Sequence, residues 1–456
     1  MPRATPLGTD PPGQLFKLPI ASERMPLMGH TWSLLRRPSK FLESLRTQGP
    51  IVRIDIGKRP VYMLTTPQLA HMILITEARR MERAGILFDR MREVIGSGLA
   101  ASEGELHMRR RRLMQPALRP NRVDSYIGLM RDHTQALSDS WRDGHIIDLD
   151  HAVWSLVTKN MASSMFGLSL NAPESRTVER VLPVLTDDFM VRLQTPKLLA
   201  RLLPLPANRR FDQALRELRE VTMGIVTRRL DSPDDSDDLL AMLLAATDPE
   251  TDEPLSLEQV YDEVISILLA GIVTTGPTLS WVFYELDQFP GIQARVLNEV
   301  HTVLDNGAPL SKALGQLHYT RRVIQEILRL HPILMIVRRT TQPVDVDGIT
   351  LPAGTELGYS PYMLHRDPNF YPDPMRLDPD RWLPARAQSL PPGAFIPFGE
   401  GRHRCLGEHF AWAQILVAIV LLLPRWELRL APGQIVREVN GGHPRPSTLR
   451  MTANSR

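Results

Sequence analysis

Cysteine is almost absent from the sequence, since its 456 residues include only Cys405. A single thiol excludes an internal disulfide framework and a metal site built from several cysteines, and it is typical of a reducing compartment. Net charge is nearly absent too, because 54 lysines and arginines stand against 51 aspartates and glutamates. A balance of +3 gives no indication of a nucleic-acid partner. We therefore expect a cytoplasmic protein that binds no nucleic acid.

The sequence also lacks an apolar run near its start. Residues 1–14 are rich in proline and glycine, which predicts a flexible arm over residues 1–20 instead of a signal peptide. Residues 264–284 and 410–424 are uncharged. The first stretch is interrupted by serines, threonines, glycines and a proline, and the second is too short to span a bilayer. Both are predicted to be buried helices, and no membrane anchor is expected.

The composition is that of a globular protein, with 43% hydrophobic and 23% charged residues. Alternating apolar residues in two short stretches predict a hairpin at residues 51–56 and 61–65. Apolar residues at three- and four-residue spacing predict helices at 67–75, 107–117, 122–141, 151–165, 178–189, 212–230, 238–246, 256–289, 290–304 and 319–330. Short strands are predicted at 344–346, 349–351 and 356–359. Since no repeat or linker divides the chain, we predict a single, mainly α domain with a minor β portion over residues 21–456.

Cys405 stands just before an apolar helical run that starts at His409. Backbone N–H groups and the positive end of the helix dipole should lower the pKa of its thiol and favour the thiolate. Two arginines and a histidine nearby add positive charge. Gly401 and Gly407 allow the backbone to adopt positive φ or to pass close to a flat ligand. An isolated cysteine is usually inert, but this environment favours a ligand-binding thiolate.

Residues 398–407 resemble the haem-binding loop of the cytochrome P-450 monooxygenases, F-x-x-G-x-[R/H]-x-C-x-G. The fixed positions are matched by Phe398, Gly401, His403, Cys405 and Gly407. The resemblance implies the cytochrome P-450 fold, with haem b between a long central helix and the helix after the cysteine loop. It also implies that Cys405 is the axial thiolate ligand of the iron.

A second motif lies upstream, where Glu326 and Arg329 are three residues apart on one helix face. Alone, such a pair is most often an exposed ion pair worth a few tenths of a kcal/mol. Here the order of the pair, the Pro379-Asp380-Arg381-Trp382 segment and the cysteine loop resembles the E-x-x-R and P-x-R-[FW] elements of the same family. The resemblance implies that Arg381 joins Glu326 and Arg329 in a buried network that supports folding and haem retention.

Residues 104–112 resemble the C-helix of the family. His107 and Arg111 are four residues apart and share a helix face, as the propionate-binding pair of the family does. Histidine and arginine suit carboxylates because charge-assisted hydrogen bonds hold a planar anion. By the same resemblance, Arg338 and His403 complete the set that binds the haem propionates.

The other arginines of this helix point away from His107. With two arginines of the cysteine loop they are candidates for a basic surface that binds an acidic electron-transfer protein. A solvated face that only aids solubility is the alternative. The residues concerned are Arg109, Arg110, Arg112, Arg402 and Arg404.

Residues 270–275 (AGIVTT) of the long uncharged helix resemble the oxygen-binding motif of the family, [A/G]-G-x-[D/E]-T-[T/S]. Val273 stands where the family has an acid. A mid-helix glycine costs about 1 kcal/mol relative to alanine, so Gly271 needs a packing or ligand reason. Pro277 lacks the N–H that would bond the carbonyl of Val273. A kinked core helix is the alternative reading of these features.

The resemblance assigns this segment a catalytic role. Ala270 and Gly271 make room for dioxygen, and Thr274, next to Thr275, is the candidate to hydrogen-bond it. With valine at the acid position, proton delivery would need ordered water, the freed carbonyl or a substrate group.

The implied function is haem-thiolate monooxygenation, in which one atom of dioxygen is inserted into an apolar small molecule. The chain looks most like bacterial enzymes of terpenoid pathways, so the first expectation for the substrate is a terpene or terpenoid. A fatty acid or a polyketide-type scaffold is the alternative. Positions that line family pockets are mainly apolar here: Phe88, Met91, Leu269, Leu334 and Ile336.

Electrons are expected from a ferredoxin and a ferredoxin reductase, since no flavin or nicotinamide motif occurs in the chain. Two other functions stay open. One is a haem-thiolate enzyme with peroxide-driven, rearrangement or oxidative-coupling chemistry, which the valine at position 273 favours. The other is a haem or ligand-binding protein without catalytic activity.

Overall fold

The computed structural model describes residues 18–167, 172–194, 206–232, 237–247, 253–440 and 442–456. Helices dominate these residues and strands form a minor part, which confirms the predicted fold class. Of the predicted arm over residues 1–20, residues 1–17 lie outside the described residues. The carbonyl of Pro19 accepts a hydrogen bond from Arg53 N at 2.9 Å, so the described end of this segment is joined to the first sheet.

Most predicted helices start and end within a few residues of the predicted bounds. The helices predicted at 178–189 and 212–230 begin six residues earlier, at positions 172 and 206, and the α-helix predicted at 67–75 ends at position 71. Proline at the first position begins several of them, because its fixed φ suits the first helical turn. In chain order the described helices are α1 (Thr31–Arg36), α2 (Pro38–Leu45), α3 (Pro67–His71), α4 (Ile86–Ile95), α5 (Gly104–Met114), α6 (Pro120–Ser140), α7 (Leu149–Phe166), α8 (Ala172–Gln194), α9 (Pro206–Asp231), α10 (Leu239–Leu244), α11 (Leu257–Gln288), α12 (Pro290–Asp305), α13 (Leu310–Gly315), α14 (His318–Leu330), α15 (Pro361–Leu364), α16 (Pro384–Ala387) and α17 (Glu408–Leu422).

The strands form one larger sheet and three small ones among the described residues. They are β1 (Ile51–Ile56), β2 (Arg59–Leu64), β3 (Met81–Glu82), β4 (His145–Asp148), β5 (Ile336–Thr340), β6 (Val344–Val346), β7 (Ile349–Leu351), β8 (Glu356–Tyr359), β9 (Trp426–Leu430), β10 (Glu438–Asn440), β11 (Pro444–Pro446) and β12 (Arg450–Ser455).

The larger sheet joins distant parts of the chain in the order β1-β2-β8-β5-β3. β1 and β2 form the predicted antiparallel hairpin, with Ile51 opposite Leu64. β2 then pairs in parallel with β8, and β5 pairs antiparallel with both β8 and β3. This arrangement brings Arg338 of β5 close to the segment that follows β3.

The long helix α11 passes through the larger hydrophobic core. It begins with a capping box, in which Ser256 and Gln259 bond each other's backbone N–H groups. It is long and apolar enough to cross a membrane, but 67% of its most apolar stretch is buried inside the protein. Such burial is what the prediction of a core helix requires.

Two hydrophobic clusters make up the interior. The larger one surrounds α11 and includes apolar residues of α6, α7 and α17. The smaller one packs around the five-stranded sheet. The cysteine loop directly precedes α17, a helix in which ten of the fifteen residues are buried.

Candidate active site

The cysteine loop is a tight turn that requires glycine at position 401. Gly401 has φ of +67°, and a Cβ atom there would lie 2.2 Å from the carbonyl oxygen of Leu74. Cys405 N donates to the carbonyl of Phe398 at 2.8 Å, which closes the turn. Gly407, by contrast, has open space where a Cβ would project. Gly401 thus fixes the loop, and the role of Gly407 as a close approach to a ligand stays a prediction.

Cys405 combines an accessible surface with a crowded thiol. The residue is exposed, yet burial by the surrounding protein is the largest influence on the pKa of its thiol. The sulfur is therefore set among protein atoms while the residue remains reachable.

The predicted lowering of the thiol pKa is wrong for the protein alone, because burial raises the pKa of Cys405. The backbone N–H of Gly407 and the charges of Arg111 and Arg404 do act to lower it, as expected at a helix start, but Glu408 opposes them. Burial outweighs these contributions since it removes water from the charged form. A thiolate here needs a further positive partner, and a metal ion supplies one.

The predicted propionate-binding residues lie close together. The rings of His107 and His403 meet edge to face with centroids 4.6 Å apart. Arg111 Nη1 donates to the carbonyl of Arg404 at 2.7 Å, which ties α5 to the cysteine loop. Arg338 is buried in β5. All four predicted residues therefore belong to one region, which we call the haem-edge cluster.

The haem-edge cluster also contains Arg83 and Glu103, which the sequence analysis missed. Burial and then the charge of Arg338 lower the pKa of Arg83 to about 9. Burial, with Arg83 the next cause, lowers the pKa of His107 to about 3. Burial also lowers the pKa of His403, to about 4. The cluster is thus crowded with positive and potentially positive groups.

Glu103 is the carboxylate that lies beside these cationic groups. Its Oε1 lies 3.1 Å from His403 Nε2, and Arg402 Nη2 lies 3.5 Å from its Oε2. Although burial acts to raise it, the pKa of Glu103 falls to about 2 because His403 and Arg83 stabilise the carboxylate.

The cluster fits the anionic edge of a haem. Glu103 supplies one negative charge, whereas Arg83, Arg111, Arg338 and Arg402 carry four positive charges and the histidines are neutral. Two propionates would balance two of the three remaining charges and accept the hydrogen bonds that these donors can make. Cys405 and the cationic cluster are thus the two features that a haem-thiolate site requires of the chain.

The exposed face of α11 is made of small and apolar residues. Six positions in the middle of this helix are accessible to different degrees: Ile267, Leu269, Ala270, Gly271, Val273 and Thr274. Four of them lie at three- and four-residue spacing on one face: Ile267, Ala270, Gly271 and Thr274. We call them the α11 stripe. Thr274 Oγ1 donates to the carbonyl of Ala270 at 2.9 Å, so its hydroxyl oxygen remains available to accept a hydrogen bond.

The other predicted residues of this motif are less accessible. Thr275 is buried, and Val273 is half-buried and packs against the larger core. A Cβ atom on Gly271 would lie 2.6 Å from Sδ and Cε of Met161 in α7, so the end of that flexible side chain would have to move. This glycine thus has a packing partner within the protein.

The predicted pocket residues divide among different surroundings. Leu269 and Met91 pack against the larger core, and Leu334 and Ile336 belong to the smaller one. Phe88 is buried but belongs to neither core, and its ring centroid lies 5.8 Å from the guanidinium carbon of Arg338. Of the five, Phe88 of α4 is the one tied directly to the haem-edge cluster.

The predicted structural network is present in full. Glu326 and Arg329 are completely buried and form two hydrogen bonds of 2.7 and 2.8 Å. Arg381 Nε and Trp382 Nε1 donate to the same carboxylate at 3.1 and 3.0 Å. Arg329 also donates to the carbonyl of His365 at 2.9 Å. Each oxygen of Glu326 thus receives at least two hydrogen bonds.

The predicted basic surface is smaller than expected. Arg110 is buried and lies 2.7 Å from Glu263, so its charge is used inside the protein. Arg402 points to Glu103 and to the carbonyl of Met81. The assignment of Arg110 to this surface was wrong, because helical spacing alone does not reveal a buried acid on another element. Arg402 is only half-buried, so its part in the surface stays a prediction. Arg112 and Arg404 remain on the surface.

The comparisons with known proteins agree with this geometry. Residues 19–450 match the family model described as Cytochrome P450. The chain is 35% identical to cyclooctat-9-en-7-ol 5-monooxygenase of Streptomyces melanosporofaciens over 93% of this chain and 92% of that protein. It is 34% identical to pentalenene oxygenase of Streptomyces avermitilis over 96% and 98% of the two chains. The solved structure of cyanobacterial CYP120A1 with retinoic acid superposes with a TM-score of 0.85 at 26% identity, over 96% of this chain and 99% of that one.

Proposed function

Because the chain belongs to the cytochrome P450 family of haem-thiolate monooxygenases, we propose that it oxidises a terpene or terpenoid at an unactivated carbon. Two relatives that align over nearly their whole length have names that state terpenoid oxidation. The observation that carries the proposal is the α11 stripe. Among its four residues, only Thr274 has a polar side chain, so the surface beside the oxygen-binding motif suits a compact apolar substrate.

Each part of the site has a distinct task under this proposal. Cys405 ligates the iron, and the haem-edge cluster binds the propionates through Arg83, His107, Arg111, Arg338 and His403. Haem supplies the activation of dioxygen once electrons arrive. Glu326, Arg329 and Arg381 hold the fold behind the cysteine loop without contacting the substrate.

We propose that Thr274 hydrogen-bonds the oxygen ligand and takes part in proton delivery. Its hydroxyl donates to Ala270 O, and its oxygen is free to accept a hydrogen bond from a protonated ligand beside the α11 stripe. Val273 cannot donate a proton, so proton delivery to Thr274 would use ordered water, the carbonyl of Val273 that Pro277 leaves free, or a substrate group. The variant Val273→Asp should therefore alter the fraction of reducing equivalents that ends in product, and an unchanged fraction would mean that another proton path already bridges the gap.

We propose a ferredoxin and its reductase as electron donors, with the protein in the cytoplasm. The single cysteine suits a reducing compartment. Arg112 and Arg404 are exposed on the helix and loop that flank Cys405, and an acidic partner would meet them there.

The substrate class is tested by titrating the haem-loaded protein with terpene alcohols, terpene hydrocarbons and fatty acids. Displacement of iron-bound water by a fitting ligand changes the spin state and hence the haem absorption spectrum. We expect a saturable change with cyclooctat-9-en-7-ol or pentalenene and none with a fatty acid of equal carbon number. A response confined to fatty acids would contradict the proposal.

The valine at position 273 supports a second candidate, in which the enzyme uses peroxide directly or catalyses a rearrangement or coupling. Such chemistry does not need the proton-delivering acid that the family motif has. Product formation with electron donors and with hydrogen peroxide separates the two functions. Turnover with peroxide alone would favour the second candidate.

A further inference from the structure

The loop that joins α4 to α5, residues 96–102, is held by side chains from the first half of α11. Three of its backbone amides donate to buried oxygen atoms of that helix. The pairs are Ser97 N with Asp262 Oδ2 at 2.7 Å, Leu99 N with Glu263 Oε2 at 2.8 Å, and Ala100 N with Ser266 Oγ at 3.2 Å. Loops in proteins usually direct such groups to water, so this loop is unusually well anchored.

Two arginines hold the carbonyl groups of the same loop. Arg110 donates to the carbonyl of Ser97 and also pairs with Glu263 Oε1 at 2.7 Å. Arg83 Nη1 donates to the carbonyls of residues 99–100 at 3.0 and 3.1 Å. Arg83 also belongs to the haem-edge cluster, so the loop is joined to α11 on one side and to that cluster on the other.

Two glycines let the loop lie directly on the helix. A Cβ atom on Gly96, which has φ of +55°, would lie 2.0 Å from Asp262 Oδ1. A Cβ atom on Gly98 would lie 2.5 Å from the backbone oxygen of Asp262 and 2.6 Å from Cβ of Ser266. The Gly-Ser-Gly sequence of the loop is therefore matched to the acidic and small residues of α11.

The position of these contacts relates them to the substrate. Ser266 lies four residues before Ala270 of the α11 stripe, which is about 6 Å along a helix axis. The loop directly follows α4, which carries the predicted pocket residues Phe88 and Met91. The contacts thus lie at one end of the accessible face of α11 and hold the element beside it.

We propose that Asp262, Glu263 and Ser266 are positioning residues that fix the 96–102 loop and α4 as a rigid wall of the substrate space. The wall favours compact apolar ligands, because it leaves the loop no freedom to yield to larger ones. The inference rests on the proposed function in taking α4 to face the substrate. The loop contacts themselves do not depend on which substrate is used.

Hydrogen exchange of the haem-loaded protein tests whether these side chains hold the loop. In Ser266→Ala and Glu263→Gln, amides 97–100 should exchange about tenfold faster than in the wild type, because a protecting acceptor is lost or weakened. Glu285→Gln is the matched control, since Glu285 is another buried acid of α11 and lies 2.8 Å from His331. Equal protection of the loop in all four proteins would overturn the proposal.

Ligand binding tests whether the wall matters for the site. The probe is 4-phenylimidazole, a compact apolar azole that is followed by the haem absorption spectrum. Its dissociation constant should rise about fivefold or more in Ser266→Ala and Glu263→Gln, in line with the loss of a preorganised contact surface. The reduced carbonyl spectrum, which reports thiolate ligation, should stay unchanged, and so should both readouts in Glu285→Gln.

If the amides exchange faster but the azole affinity is unchanged, the three side chains support the loop without positioning it for ligand binding. That result would overturn the proposal. Neither measurement uses a terpene. Failure of the terpenoid proposal would therefore appear in the terpene titration, and failure of the present one in these two experiments.

Discussion

Two arginine-containing clusters of this protein differ in how their charges are balanced. Around Glu326, the arginines Arg329 and Arg381 are buried and matched by carboxylate and carbonyl oxygens of the chain. In the haem-edge cluster, Arg83 and Arg338 repel each other, and burial together with that repulsion lowers the pKa of Arg83 to about 9. The first cluster has one carboxylate for two arginines, and its charged groups are hydrogen-bonded within the chain. The second has one carboxylate, that of Glu103, for Arg83, Arg111, Arg338 and Arg402, so more positive charge is left over.

The difference distinguishes a structural network from a binding site. A buried ion network stabilises a fold only when its geometry is good and hydrogen bonds within the chain satisfy its charged groups. A site for an anionic ligand must instead leave donors and positive charge unmatched until the ligand binds. Mutations in the first cluster should therefore lower folding stability, whereas mutations in the second should weaken cofactor retention.

The largest effect is expected when the complete network is broken. Glu326→Gln leaves two buried guanidinium groups without their carboxylate, so the free energy of unfolding should fall by about 3–5 kcal/mol. Urea unfolding of the haem-loaded protein measures this loss. A decrease of less than about 1 kcal/mol, the size expected of an exposed pair, would mean that the network is not a main support of the fold.

For Glu263, which pairs with Arg110, we expect an effect on folding stability that is intermediate in size and depends on pH. Burial raises the pKa of Glu263 to about 7 from an ordinary value of 4.5, although Arg110 acts to lower it. The folded protein thus holds this proton more tightly than the unfolded chain. The stability contributed by Glu263 should be greatest below pH 4.5 and be lost as the pH rises through about 7.

Unfolding measured between pH 4.5 and about 7 for the wild type and Glu263→Gln tests this sign. The wild type should lose stability relative to the variant as the pH rises. A constant difference across the range would contradict the raised pKa.

The smallest effect is expected at the surface. Arg404 and Glu408 pair at 2.8 Å in an i, i+4 arrangement, but the arginine side chain is 59% exposed. Glu408→Gln should change the free energy of unfolding by about 0.5 kcal/mol or less, because water screens the pair. The same urea assay provides the comparison with Glu326→Gln, and a loss as large as in that variant would remove the distinction between buried and exposed pairs.

Features that depend on neighbours in sequence could be predicted. The three-residue spacing of Glu326 and Arg329, the four-residue spacing of His107 and Arg111, and the β1–β2 hairpin are local patterns, and the structure has them. The serines, threonines, glycines and proline within the long apolar run of α11 favoured a core helix over a membrane span, and 67% of its most apolar stretch is buried.

Features that depend on the rest of the fold could not be predicted in this way. Arg83 joins the haem-edge cluster only because β3 pairs with β5, which is far along the chain. Arg110 pairs with Glu263 of another helix, and the space beside Gly271 is occupied by Met161 of α7. The sign of the thiol pKa shift at Cys405 was wrong because the extent of burial cannot be read from the residues beside it.

The central claim, that the haem-edge cluster binds the propionates, is tested most directly by the rate at which haem leaves the protein. Arg338 and Arg339 are adjacent in β5, but Arg338 is buried in the cluster whereas Arg339 pairs with Glu356 at 2.9 Å. Transfer of haem to an excess of an apoprotein acceptor should be about tenfold faster or more from Arg338→Leu than from the wild type, since a charge-assisted hydrogen bond is lost. Arg339→Leu should release haem at the wild-type rate. Equal rates from Arg338→Leu and the wild type would contradict the account.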